Sequence, residues 1–239
     1  MRAMILAAGR GERMRPLTDT VPKPLLRAGG KPLIVWHVEH LVGAGVTELV
    51  INHAWLGHRI VDTLGDGTRF GACIRYSAED PALETAGGIA HAMPLLGSEP
   101  FLVVNGDIWC DWNPAAADRI SRELGSAHAW LLLADNPPHH PDGDFHLDVD
   151  GHVSEPSSGA DSLTFSGIGV YRPELFERID PNQPAPLSPL LRQAMQEGRI
   201  KGARHAGFWM DIGTPQRLAA LDQRLAGQDT RATTHPPAR

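Results

Sequence analysis

The chain opens on an abrupt break. An apolar run, Met4 to Ala8, gives way at once to Gly9-Arg10-Gly11-Glu12-Arg13-Met14-Arg15-Pro16, and Pro22-Lys23-Pro24-Leu25-Leu26 follows. Such a run reads as a buried strand that the glycines end in a tight turn. Glycine lets the backbone come close to a ligand, and successive N–H groups in such a turn form an anion-binding concavity. Arg10, Arg13 and Arg15 stand in or beside the turn, with Lys23 a few residues on. Together they suggest a polyphosphate site at the C-terminal end of the first strand; a plain Gly-x-Gly turn is the alternative. Two familiar phosphate motifs do not apply. Met14 stands at the third glycine position of the dinucleotide fingerprint, and no Gly-Lys-Ser/Thr follows, as a Walker A loop needs.

Over the whole chain negative charge prevails. The 239 residues carry a formal net charge of −6, which argues against bulk nucleic-acid binding. The length suits one large domain or two small ones, with material for a proper core. Cys73 and Cys110 are the only cysteines; they give no disulfide framework and point to a reducing compartment. The histidines are scattered, with His139-His140 the one adjacent pair, and no His-x-x-x-His or Cys-x-x-Cys spacing suggests zinc. The apolar stretch after Arg2 is too short for a signal peptide, and no segment reaches the length of a membrane span. A soluble cytoplasmic protein with no membrane partner is the expectation, as a monomer or weak homo-oligomer.

Apolar runs alternate with helical patterns through the first half. Lys31 to Gly45 reads as a helix with Ile34, Val38, Leu41 and Val42 on one face. Strands are expected at 48–51, 72–76, 101–104 and 129–133, and helices at 56–64, 85–96 and 113–123, with Gly87-Gly88 a possible start for the second of these. This rhythm predicts a Rossmann-like, doubly wound, mostly parallel α/β sheet with ligands at strand C-termini. The second half changes character. Residues 136–144 are rich in Pro, His and Asp and read as a loop; 145–149 and 163–171 read as strands joined by a polar connection that includes Ser157-Ser158-Gly159. Residues 187–196 are helical, 207–213 form a short strand and turn, and Thr214 to Leu225 is a final helix with Thr214-Pro215 as cap and first turn. The expected organisation is a single domain over 1–227, with a nucleotide-binding half (1–135), a smaller sugar-binding half (136–227) and a flexible tail at 228–239.

Two carboxylates stand out. Asp107 follows Asn105-Gly106 at a strand end, and Asp211 lies in a second strand-to-turn step. Each alone can be a turn aspartate. With a basic glycine loop nearby, they suggest a shared Mg²⁺, a hard cation held through one or two carboxylates plus substrate phosphates.

The full pattern of the opening, Leu-Ala-Ala-Gly-x-Gly-x-Arg-Met-x-Pro-Leu-Thr followed by Pro-Lys-Pro-Leu, resembles the signature of the sugar-1-phosphate nucleotidyltransferases, and the resemblance runs over roughly residues 1 to 225. It implies a nucleotidyltransferase (GT-A-like) fold and an in-line transfer: a sugar 1-phosphate oxygen attacks the α-phosphorus of a nucleoside triphosphate, and pyrophosphate leaves. The nucleophile is already anionic at pH 7, so positioning and neutralisation of charge are the catalytic problem. By the family pattern Asp107 and Asp211 hold the metal, the backbone of Ala8, Gly9, Gly11 and Glu12 cradles phosphate, Arg13 holds the leaving phosphates and Lys23 lies near the α-phosphate. Arg15 falls at a variable position, and Glu12 departs from the Ser or Thr of many relatives.

By the same resemblance, base recognition comes from Tyr76 to Gly88. Relatives often carry Gln and then Leu-Gly-Thr; here Glu79 and Leu83-Glu84-Thr85 stand in those places, with Gly87 and Asn105 completing the nucleotide set. A carboxylate at Glu79 could accept uracil N3–H; a solvent-facing loop charge is the alternative. Asn105, Gly143, Asp144, Glu155, Ser166 and Gly167 are the candidates for the sugar phosphate. The Lys of the family's Glu-Lys-Pro is absent at Glu155-Pro156, which leaves that contact unassigned. Several blocks, among them Leu83-Glu-Thr-Ala-Gly-Gly88 and Leu163-Thr-Phe-Ser-Gly167, look most like the short bacterial uridylyltransferases of cell-wall (peptidoglycan) recycling. That likeness implies UTP and N-acetylmuramate α-1-phosphate as substrates. GTP with mannose 1-phosphate, or dTTP with glucose 1-phosphate, keeps the chemistry. A non-catalytic sugar-nucleotide sensor would be expected to lose one of Arg13, Lys23, Asp107 or Asp211, and all are present. A phosphocholine cytidylyltransferase-like enzyme would need its tryptophans to converge in a cage.

Overall fold

Val-, Ile- and Leu-rich runs, each long enough for one strand and buried on both faces, build the centre of a seven-stranded sheet between two layers of helices. The computed structural model describes residues 1–157 and 161–232, with side chains as far as 227. The chain begins with β1 (Arg2–Leu6), a short hairpin of β2 (Arg27–Ala28) and β3 (Lys31–Pro32), α1 (Leu33–Gly43), β4 (Glu48–His53) and α2 (Gly57–Leu64). It continues through β5 (Cys73–Ala78), α3 (Glu84–Leu96), β6 (Phe101–Asn105), β7 (Ile108–Cys110), α4 (Ala116–Glu123) and β8 (Ala129–Ala134). Then come β9 (His146–Leu147), β10 (Val153–Ser154), β11 (Thr164–Tyr171), α5 (Leu187–Gln196), β12 (Ile200–Arg204), β13 (Trp209–Asp211) and α6 (Pro215–Ala232).

The sheet order is β12-β8-β11-β6-β1-β4-β5. All pairings are parallel except those of β11, which runs against both β6 and β8. The mostly parallel, doubly wound sheet read from the sequence is therefore present. The chain winds from β1 outward to β5, then returns across to β6 on the other side of β1, and this reversal opens a crevice at the strand C-termini. Strand alternation feeds both layers: Ala3, Ile5, Leu49 and Ile51 meet α1 and α2, while Met4 and Val50 face α3 and α5 on the opposite side.

A third apolar cluster clamps the opening loop. Met14, Leu26, Ala28 and Leu33 bury against Ile212 of the β13–α6 turn and against Leu221 and Leu225 of α6. Side chains of that size contribute about 1.5–3 kcal/mol each when fully buried, enough to fix a loop that carries the site. The hairpin is pinned to the same helix, since the Gly29 N–H donates to Asp222 Oδ1 at 2.8 Å.

Several local expectations are corrected. Gly87 and Gly88 lie inside α3, which starts at Glu84. They are there because a Cβ on Gly87 would meet Gln183 O at 2.5 Å, and one on Gly88 would meet Glu79 Oε1 at 2.6 Å. β7 and β12 were not expected. β12 carries little apolar signal (Ile-Lys-Gly-Ala-Arg) because it is the edge strand beside β8. The expected strand at 145–149 shrinks to the two residues of β9. α6 continues past Leu225 to Ala232; the rest of the expected tail, 233–239, and Ser158-Gly159 lie outside the described residues.

Candidate active site

Three strands end level with one another at the crevice. In the register of the sheet Leu6 stands beside both Asn52 of β4 and Asn105 of β6. Beyond these ends lies a cavity of about 320 Å³, lined by Ala7, Ala8, Gly9, Lys23, Asn52, Glu84, Thr85, Asn105, Gly106 and Asp107 among others. The small residues after β1 let the backbone itself form one wall. Asn52 holds that wall: its Oδ1 accepts the Ala7 N–H at 2.8 Å. Among the described residues no aromatic side chain lines this cavity, so they form no cage there for a quaternary ammonium group.

The glycine loop brings its cations in from one side. Gly11 has a φ of 71°, and a Cβ there would stand 3.0 Å from the Thr18 side chain and 3.1 Å from Lys23 Cβ. Glycine thus meets both the backbone and the space requirement. Lys23, only 7% exposed, sends Nζ to Asp107 Oδ2 at 2.6 Å. A buried ammonium needs such a partner to offset its desolvation. The other charged residues of the loop face away or sideways. Arg10 stacks over the Trp55 ring at 3.5 Å and donates to Glu12 at 2.9 Å, and Arg15 pairs with Asp19 at 2.7 Å.

The second carboxylate is brought in by strand pairing. β13 runs antiparallel to β7, with Asp211 opposite Ile108, and the Ile212 N–H donates to the Asp107 carbonyl at 2.7 Å. Asp107 and Asp211 are therefore neighbours across a ladder although 104 positions separate them in the chain. Arg217 of α6 donates to Asp211 Oδ2 at 2.7 Å. His139 Nε2 stands 2.8 Å from Asp211 Oδ1, a buried oxygen that accepts no hydrogen bond among the described residues. Arg13 reaches the same place, for its Nη2 lies 3.1 Å from where a Cβ on Gly213 would sit, beside Asp211 Oδ2 at 3.0 Å. Two carboxylates on paired strands, one with an oxygen that accepts no hydrogen bond among the described residues, are hard oxygen donors of the kind a divalent cation takes.

The wall formed by the β5–α3 loop corrects one assignment. Glu79 is only 5% exposed, with Oε1 accepting from Asn52 Nδ2 at 2.7 Å and Oε2 from the Leu83 N–H at 2.8 Å. Both oxygens are engaged within the protein, so the carboxylate braces the loop instead of facing the base. Glu84 and Thr85 line the cavity, and Glu84 does so with a φ of 56°. Gly87 is buried against Gln183 and offers no side chain to a ligand.

On the other flank the candidates divide. Gly167 has a φ of 83° at an irregularity of β11, and a Cβ there would collide with the Asn105 side chain at 2.7 Å. It therefore sets Asn105 at the cavity. Ser166 is fully buried; its carbonyl accepts from Trp209 Nε1 at 2.8 Å and its Oγ from the Ile168 N–H at 3.2 Å. Asp144 accepts from the Phe165 N–H at 2.8 Å and pairs with His140 at 3.1 Å. Gly143, at a φ of 61°, leaves room for Asn136 and Ser162. Glu155 pairs with Arg192 of α5 at 2.8 Å and does not line the cavity.

Four residues of the arrangement went unnoticed in sequence: Asn52, Arg217, Asn136 and His37. A polar residue at the very end of an apolar strand was the available signal for Asn52. His37 of α1 is buried beneath the Gly106–Ile108 turn, and burial pushes its imidazole down to about 4.

A doubly wound sheet whose switch point gathers a glycine loop, a buried lysine and two carboxylates defines a protein that handles phosphorylated nucleotides. The chain belongs to the nucleotidyl transferase family, whose model matches residues 2–228. It is 56% identical to an N-acetylmuramate α-1-phosphate uridylyltransferase of Neisseria meningitidis, covering 95% of this chain and 99% of that one. A Caulobacter vibrioides enzyme of the same description is 36% identical, over 94% and 96% of the two chains. In structure it is similar to a Bacillus anthracis protein solved with sucrose (TM-score 0.81, 20% identity, 100% and 98% coverage). It is also similar to HddC from Yersinia pseudotuberculosis complexed with GMP-PN (TM-score 0.76, 20% identity, 93% and 98% coverage). At those identities the two structures bear on the fold alone. No helix among the described residues is long and apolar enough to cross a membrane.

Proposed function

We propose that this nucleotidyltransferase moves the uridylyl group of UTP onto N-acetylmuramate α-1-phosphate, giving UDP-N-acetylmuramate and pyrophosphate. The observation that carries this reading is the 56% identity, over nearly the full length of both chains, to an enzyme of that description. A phosphate oxygen of the sugar 1-phosphate bonds to the α-phosphorus as the bond to the bridging oxygen of the β-phosphate breaks. The electron pair leaves with pyrophosphate, and no proton need move.

In this reading the backbone of Ala8, Gly9, Gly11 and Glu12 receives the triphosphate, and Arg13 steadies the leaving phosphates. Lys23, held rigid by burial and by Asp107, neutralises charge around the α-phosphate. Asp107 and Asp211 would hold Mg²⁺, which when bound supplies positive charge to the phosphates. Thr85 and Glu84 line the nucleoside end of the cavity. Asn105, positioned by Gly167, faces the region where the two substrates meet. Asp144, Gly143 and Ser166 act by shaping the sugar-side wall, with residues 136–227 supplying that side and 1–135 the nucleotide side.

The test is pyrophosphate release with Mg²⁺ and UTP over three acceptors: N-acetylmuramate 1-phosphate, N-acetylglucosamine 1-phosphate and glucose 1-phosphate. Preference for the first is expected. Equal or better turnover of another acceptor would reassign the substrate, and absence of release with all three would remove uridylyl transfer.

A further inference from the structure

Two residues other than glycine have positive φ among the described residues, Leu56 at 53° and Glu84 at 56°. A side chain in left-handed backbone crowds the following carbonyl. Positions held there at a cleft are places where function outweighs that strain. Leu56 carries no functional group. Glu84 is exposed, lines the active-site cavity, and makes no side-chain hydrogen bond or ion pair with any described residue. The carboxylate therefore stands where the backbone itself favours glycine.

The place of Glu84 in the cavity indicates what it meets. Glu84, the first residue of α3, lines the same cavity as Lys23 and Asp107, which meet at its wall. The anionic part of a nucleotide belongs with the Lys23 ammonium and the backbone N–H groups of the glycine loop. A second anion with no cation of its own would repel phosphate, so it faces the nucleoside, whose edge bears N–H and O–H donors. Glu79, the other carboxylate of this loop, is closed off by Asn52 and Leu83.

We propose that the Glu84 carboxylate is the specificity-determining acceptor for the imide N3–H of a pyrimidine base and excludes cytosine. Uracil donates from N3. Cytosine presents a lone pair there, and two acceptors facing each other in a cavity are repulsive. Thymine shares the uracil edge and is not distinguished by this group. The inference rests on the proposed uridylyl transfer and adds the group that selects the base.

The experiment measures kcat/KM with UTP, CTP and dUTP for wild type, Glu84→Gln and Glu84→Gly, with melting temperatures for all three. A Gln amide can offer either its carbonyl or its NH₂. The expected result is therefore that Glu84→Gln lowers the UTP-to-CTP preference at least ~10-fold, the scale of one mismatched polar contact, while the UTP-to-dUTP ratio stays as in wild type. Glu84→Gly should lose the same preference while melting about 2–4 °C higher, because glycine relieves the left-handed strain. A wild-type enzyme that selects UTP over CTP, with both variants selecting it equally well, would overturn the inference while leaving uridylyl transfer intact. A change in the dUTP ratio instead would assign Glu84 to the ribose and also overturn it. A wild-type enzyme inert with UTP would instead remove the reading on which it rests.

Discussion

The two flanks of the crevice use the same residue types to opposite ends. On the nucleotide flank they are left less complete: Glu84 has no side-chain partner among the described residues, the buried Asp211 Oδ1 accepts no hydrogen bond from them, and Lys23 and Asp107 pair at the cavity wall. On the sugar flank they satisfy one another. Asn136 donates to the Pro141 and Ser162 carbonyls, Thr164 donates to Asn136, and Asp144 holds Phe165 and His140. Buried or half-buried polar groups without partners are costly, so they persist where a ligand completes them; closed networks fix shape. In the proposed reading the nucleotide flank recognises by charge and the sugar flank by the form of its wall.

The largest effect should come from Asp107→Asn, which removes a charge and leaves the volume. Turnover is expected to fall by roughly 10³-fold or more, on the scale of losing a pre-placed charged contact and more, with a lower melting temperature because Lys23 loses its charge partner. Turnover within a few-fold of wild type, with ordinary Mg²⁺ dependence, would place Asp107 among turn residues. Lys23→Ala should cost about 10²–10³-fold in kcat. Near-normal rates would make the Lys23–Asp107 pair purely structural.

A stability effect tests the floor of the site. His37 takes its proton near 6.5 when unfolded and near 4 when folded. Below pH 6.5 the unfolded chain therefore binds more protons. The contribution of a neutral buried His37 is whole above that value and is lost as the pH falls towards 4, by about 3 kcal/mol. Urea unfolding between pH 7.5 and 4.5 should show this slope, and His37→Gln should flatten it; parallel slopes would disprove the coupling.

On the sugar flank, Asp144→Ala should lower stability by about 1–3 kcal/mol through the loss of its hydrogen bonds. It should raise KM for the sugar phosphate and leave KM for UTP unchanged, as steady-state kinetics would show. A raised KM for UTP alone would erase the distinction between the flanks. Smallest of all, Glu155→Gln breaks an exposed pair with Arg192 and should change stability by no more than about 0.5 kcal/mol and turnover hardly at all. A large loss of turnover would return Glu155 to the site.

The same contrast governs what could be read from the sequence. The strand that ends in Gly9 and Gly11, the alternating elements of the first half and the carboxylates at 107 and 211 are local patterns, and periodicity exposes them. β12 escaped because an edge strand needs few apolar residues, and β7 because three residues make no pattern. Glu79 was misread because a loop carboxylate looks alike whether it faces a ligand or braces a turn; only its contacts with Asn52 and Leu83 tell the two apart. Gly87-Gly88 looked like a helix start, but close approach of Gln183 and Glu79 is what requires glycine there. The reach of His139 and Arg217 to Asp211 depends on tertiary contacts that no spacing encodes.

Convergence of Asp107 and Asp211 on one cation beside Lys23 is the central claim, and a Mn²⁺ titration followed by electron paramagnetic resonance in the presence of UTP tests it most directly. Wild-type protein should take up Mn²⁺ with a signal change that Mg²⁺ reverses. Asp211→Asn should weaken that uptake at least ~10-fold while the protein remains folded. Unaltered Mn²⁺ affinity in Asp211→Asn would contradict the claim and return the carboxylate to a purely structural role with Arg217.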